Sequence, residues 1–198
     1  MNPTQLSREL RLGRQPDLNR RRWIIGLSFA GAALAKVVSL YQTGILKSLP
    51  DPPLDVFDST KVDASDYAYK RLDTPDGLIM LANYAATAWV AGAGGENRAE
   101  QQPLLPIATS LKTLTDFGVA MKLTQEEWAE NKALCFYCQL ANVVSLASFA
   151  LSLPETIRAI RSWQGQPDAA TGQALTEEQP TPLENRTRSQ KRKTTPVL

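Results

Sequence analysis

Four apolar stretches, each close to the length that crosses a lipid bilayer, constrain this chain more than any other feature. They predict helices near residues 23–43, 76–94, 103–122 and 132–153. About 20 apolar residues in a helix span the hydrocarbon core. The first and fourth stretches carry almost no polar face, which is what separates them from the amphipathic helices of a water-soluble bundle. Arg20–Arg22 followed by Trp23–Ala35 imitates a signal peptide, yet the apolar run continues through Val37, Val38 and Leu40, as a spanning helix would. Pro154 stands where the fourth helix is expected to close. The expected fold class is an all-α membrane protein: a four-transmembrane-helix bundle with an acidic outer loop and polar, disordered tails.

Charge orients these crossings. Across 198 residues the net charge is only +2, but the sign is unevenly spread. Residues 1–22 hold six arginines against Glu9 and Asp17, and a basic flank stays cytoplasmic. The stretch 44–76 holds seven aspartates against Lys47, Lys61, Lys70 and Arg71, and falls outside. A turn around Glu126, Glu127 and Glu130 is expected on the same outer side, with the fourth helix exiting inward toward Arg158 and Arg161. The Pro- and Asp-rich segment Leu49–Asp58 reads equally well as a cap over the outer mouth or as a solvated linker. Domain limits follow: a basic cytoplasmic segment 1–22, a membrane domain 23–160 and a polar tail 161–198. Lys191-Arg192-Lys193 in that tail reads as solvated or weakly attracted to lipid headgroups, not as a nucleic-acid site.

The chain has no histidine and two cysteines. That removes His-based triads and His-ligated metals, and two cysteines alone fall short of a four-ligand zinc site. Cys135 and Cys138 are three residues apart, so a helix places them on one face. A helix N-terminus favours thiolate, and the charge layout puts the pair at the outer end of the last helix, on the oxidising side. The plainer reading is two structural cysteines in an apolar helix. Spacing and placement favour a reversible disulfide.

Ala133-Leu134-Cys135-Phe136-Tyr137-Cys138 resembles the fourth-helix motif of the vitamin K epoxide reductase (VKOR) family. Val62–Ala68, then Pro75, Leu78, Leu81 and Tyr84, resembles that family's passage from loop to second helix, and Gly26 with Ser39-Leu40-Tyr41 resembles its first helix. The likeness extends over about residues 20–160. It implies a bundle around a quinone in a bacterial plasma membrane or thylakoid, the CxxC facing the outer or lumenal side. It implies that Cys138 faces the quinone and that Cys135 exchanges with a periplasmic or lumenal thioredoxin-like dithiol protein. The chain departs from the family pattern in its first outer loop, which has no cysteine pair; Phe57 or Asp58 stands about where the second is expected. A fused thioredoxin-like domain is also lacking. The resemblance further implies quinone contacts from Asp76, near an asparagine of some relatives, and from Asn142, where animal relatives have a tyrosine.

Other polar residues in the spans are Asn83 and Tyr84, which face either the bundle centre or the headgroups, and Lys112 with Asp116. The last two can pair at i, i+4 or line a proton path to the quinone. The expected activity is therefore thiol–quinone oxidoreduction. The alternatives are a non-catalytic VKOR-like assembly or interaction subunit, argued by the missing loop cysteines, and a quinone or lipid binder without thiol turnover.

Overall fold

In the computed structural model of this chain, residues 2–165 are described. The tail expected over 161–198 therefore lies outside the described residues beyond its first few positions. Seven α-helices follow in order: α1 Pro3–Leu12, α2 Pro16–Gln42, α3 Ser59–Asp63, α4 Asp76–Gly92, α5 Arg98–Gln101, α6 Leu104–Asn131 and α7 Phe136–Trp163, with a 3-10 turn at Asp66–Ala68. No strand occurs among the described residues; one isolated bridge joins Phe57 to Leu134.

The four long helices α2, α4, α6 and α7 form the bundle, α2 lying against α4 and α7, and α6 against α7. Its chemistry is the reverse of a water-soluble core. Ser28, Thr87, Thr109, Ser110, Thr113, Ser145, Ser148 and Ser152 are buried, while Trp23, Phe29, Trp89, Leu111, Val143 and Leu146 are exposed. Small hydroxylated residues let helix backbones approach and bond across the interface where no aqueous phase drives association. Ser110 shares hydrogen bonds with Ser152 (2.7 Å) and Thr156 (2.8 Å), tying α6 to α7. Gly31 of α2 is part of the same close packing: a Cβ there would come within 2.6 Å of three Tyr84 ring atoms on α4. Two helices, Pro16–Gln42 and Phe136–Trp163, are long and apolar enough to cross a membrane. The α4 helix, with 17 residues, and α6, with its internal charges, fall short of that measure.

Two expectations from the sequence need correction. The fourth helix does not close at Pro154 but runs on to Trp163. Proline costs it one backbone bond, and tertiary anchors on the following residues carry the helix through: Glu155 is paired with Arg98, and the Thr156 hydroxyl donates to the Pro106 carbonyl at 2.9 Å. The turn expected around Glu126, Glu127 and Glu130 is also helical. There α6 continues to Asn131, and the chain reverses at Lys132, whose φ is +53°. Arg71 and Lys70, from the segment between α2 and α4, hold Glu126 and Glu130 at 2.9 and 2.5 Å, extending α6 beyond its apolar part.

At the end of the bundle where α4 finishes, Arg21 donates to the carbonyls of Ala91, Ala93, Gly94 and Gly95 at 2.8–3.0 Å. Arg98 joins it on the carbonyls of Val90 and Ala93, and forks onto both Glu155 oxygens at 2.8 and 2.9 Å. Cations at a helix C-terminus satisfy carbonyls that the helix cannot. Asp17 closes the layer, pairing with Arg20 and Arg158.

At the other end, residues 43–75 fold back as a cap rather than a linker. Tyr67 and Tyr137 fasten it by donating to the carbonyls of Leu123 and Pro50 at 2.8 and 3.0 Å. Ser59 Oγ receives the Phe136 N–H at 2.8 Å and donates to Asp51.

Candidate functional site

Cys135 is the N-cap of α7, and its Sγ accepts the Cys138 N–H at 3.3 Å. The sequence therefore does what its spacing predicts: both sulfurs sit in the first turn. Both are free thiols. They lie within 4.8 Å of each other and of an Asp63 carboxylate oxygen.

The two thiols differ in surroundings. Cys135 is wholly buried. The cap covers it: Leu134 donates to the Val56 carbonyl at 2.9 Å, the Asp58 N–H donates to the Leu134 carbonyl at 3.1 Å, and the Phe57 ring stands edge-on to Phe136 at 5.4 Å. Cys138 is partly exposed and opens into a cavity of about 350 Å³ between α2, α4, α6 and α7.

That cavity collects most of the residues singled out in the sequence. Asp76, Asn83, Tyr84, Asp116 and Asn142 line it with Cys138, among apolar side chains such as Ile79, Met80 and Val119. Their polar atoms are variously engaged. Asp76 accepts from Gln42 Nε2 at 2.6 Å, and the same Gln42 receives the Gly77 N–H at 3.0 Å. A Cβ there would stand 2.9 Å from the Ser39 backbone nitrogen, which cannot swing aside as a side-chain end can. Asn83 Oδ1 accepts from Lys112 Nζ at 2.9 Å, and Lys112 also pairs with Asp116 at 2.7 Å. The Tyr84 hydroxyl donates to the Ala141 carbonyl at 3.0 Å, so Tyr84 is a buried wall rather than a free donor. Asn142 Nδ2 donates to Thr124 and Gln139 at 2.7 and 3.1 Å, leaving its oxygen to face other donors. Cys135 is the one predicted site residue outside the cavity lining.

Two acids at this site were not singled out from sequence. Asp63 Oδ2 accepts the Cys135 thiol at 3.1 Å. Glu127 accepts the Cys135 N–H at 2.5 Å and Gln139 Nε2 at 3.2 Å. Both are at most 2% exposed, and no ion pair joins either among the described residues. Burial, with the neighbouring aspartates, pushes Asp63 up to about 7 and Glu127 up to about 8. A signal for Glu127 exists in the sequence: Asp116, Ala120, Leu123 and Glu127 fall at i, i+4, i+7 and i+11, one stripe along α6. Nothing local marks Asp63, whose partner is 72 residues away.

An apolar cavity of this size with a few convergent polar groups has the character of a small-molecule site. Comparison with known proteins agrees with the motif. No curated protein and no solved structure matches the chain. The family model described as "Vitamin K epoxide reductase family" matches residues 22–153. With two thirds of its length matched and the CxxC within that span, the chain belongs to the vitamin K epoxide reductase family.

Proposed function

We propose that this protein is a membrane thiol–quinone oxidoreductase. Its family and apolar helices make it a membrane protein with thiol–disulfide chemistry in general terms; the quinone, the partner and the topology are our reading. One observation carries it: of two neighbouring thiols, Cys138 opens into the bundle cavity and Cys135 turns to the cap.

In this reading four helices cross the bilayer. The arginine end is cytoplasmic and the cap is outside. A quinone supplies a two-electron, two-proton acceptor. The apolar walls exclude water from it, and Cys138, Asn83, Asp76 and Asn142 surround it. Cys135 closes the disulfide with Cys138. An outer thioredoxin-like dithiol protein then attacks and reopens it. That exchange needs Val56–Asp58 to lift from Leu134, since Cys135 is covered.

The covering of Cys135, with no cysteine in the cap, favours a second reading, a non-catalytic member that keeps the bundle. One experiment separates the two. Full-length protein in nanodiscs is reduced, desalted and mixed with a short-chain quinone, and hydroquinone and free thiols are counted. The oxidoreductase yields one hydroquinone for every two thiols lost, and Cys138→Ser yields none. Wild-type protein that keeps both thiols under quinone overturns the proposal.

A further inference from the structure

The hydrogen-bond acceptor of the Cys135 thiol stands on the cap. Its thiol hydrogen points at Asp63 Oδ2, 3.1 Å away, in a pocket where both groups are at most 1% exposed. No solvent reaches that sulfur, and among the described residues no lysine or arginine ion-pairs with the carboxylate. A buried acid without a cation is costly. Its placement on the sulfur that must lose a proton gives it a use that structure alone does not require. Glu127 holds the same residue from the α6 side, through the Cys135 N–H.

We infer that Asp63 is the general base of the disulfide-forming step, taking the proton of Cys135 as its sulfur bonds to Cys138. The inference rests on the thiol–quinone reading for its natural oxidant, but not for its test. Two S–H bonds break and one S–S bond forms. Two electrons leave through the Cys138 sulfur to the oxidant, and two protons follow to complete the hydroquinone. The Cys135 proton passes first to Asp63 Oδ2. In the reverse direction Asp63 returns that proton when Cys135 is released as a thiol. Since a protonated Asp63 cannot accept, closure slows as pH falls through about 7. The titratable groups that act on Asp63 are Cys135 and Cys138 on α7, Glu127 on α6, Asp76 on α4, and Asp51 and Tyr69 on the cap. The acids among them oppose its ionisation, so its titration belongs to the cluster.

The test uses full-length protein in nanodiscs, reduced, then oxidised by diamide, a small two-electron oxidant that needs no quinone site. Quenching by alkylation counts the remaining thiols, and rates are taken from about pH 5.5 to about pH 9. Wild type should rise with pH and level off above about 7. Asp63→Asn should close on the order of 100-fold more slowly at neutral pH. It should lack the neutral limb and gain rate only in alkali, where hydroxide replaces the base. Asp63→Glu should restore the limb. A wild-type profile that is flat through neutrality overturns the inference without any variant, and so does Asp63→Asn closing within tenfold of wild type. If wild type ignores quinone yet closes with diamide along the Asp63-dependent limb, the quinone reading falls and the role of Asp63 stands.

Discussion

The two ends of the bundle bury charge in opposite ways. Where α4 ends, the buried acids meet arginines: Arg98 forks onto Glu155 and Asp17 meets Arg20 and Arg158, while Arg21 is spread over backbone carbonyls. Where α7 begins, Asp63 and Glu127 are equally buried, but their partners are a thiol, an amide and a backbone N–H. The first arrangement locks helices together, because no member can change its charge without orphaning another. The second leaves two acids near neutrality, free to exchange protons beside two sulfurs. A network that is fully paired is built to stay; one that is held by neutral donors is built to titrate.

Breaking the paired end should give the largest effect on stability. Arg98→Ala strands Glu155 and uncaps α4, and removing one partner of a buried pair costs about 3–5 kcal/mol. Thermal unfolding in detergent should show the loss, while quinone reduction per folded molecule stays near wild type. A variant with unchanged melting would mean that the arginine layer is not structural.

Between the ends, Gly31→Ala tests how tightly α2 fixes the cavity wall. The new methyl would press on the Tyr84 ring, at about 1–3 kcal/mol for overpacking. Tyr84 lines the cavity, so a ring displaced into it should raise the quinone KM with kcat little changed. A melting loss with KM unaltered would separate the wall from the binding site.

Glu127→Gln should change how stability varies with pH. Folded Glu127 holds its proton up to about 8, against an ordinary 4.5. Between those values the unfolded chain has released a proton that the folded protein keeps. Stability therefore falls as pH rises through that window, by at most about 1.4 kcal/mol per pH unit for this group, and levels off above it. Glutamine removes this contribution while keeping an oxygen for the Cys135 N–H. Melting temperatures across the window should fall less steeply in Glu127→Gln than in wild type; identical slopes would place the titration elsewhere.

Much of this was legible in the residues themselves. Apolar run length marks α2 and α7 as membrane-length helices, the spacing of Cys135 and Cys138 puts both sulfurs in one turn, and the family motif lies in six consecutive residues, 133–138. The Lys112–Asp116 pair also follows from i, i+4 spacing, with Asn83 added from α4. These are local properties: hydrophobicity, period and neighbour distance along one helix. Sequence misplaced the ends of α6 and α7, because what prolongs them comes from elsewhere in the chain, Arg71 and Lys70 for one and Arg98 and Pro106 for the other.

What only the tertiary structure decided is which thiol is covered, which acid meets it, and which polar residues of the spans are already engaged. Cys135 and Asp63 are 72 residues apart, Tyr84 and Ala141 57, and Arg98 and Glu155 57. An aspartate in an acidic loop reads from sequence as one solvated charge among seven. It becomes a buried base only when the loop folds over the end of α7 and excludes the water that would otherwise hold it ionised.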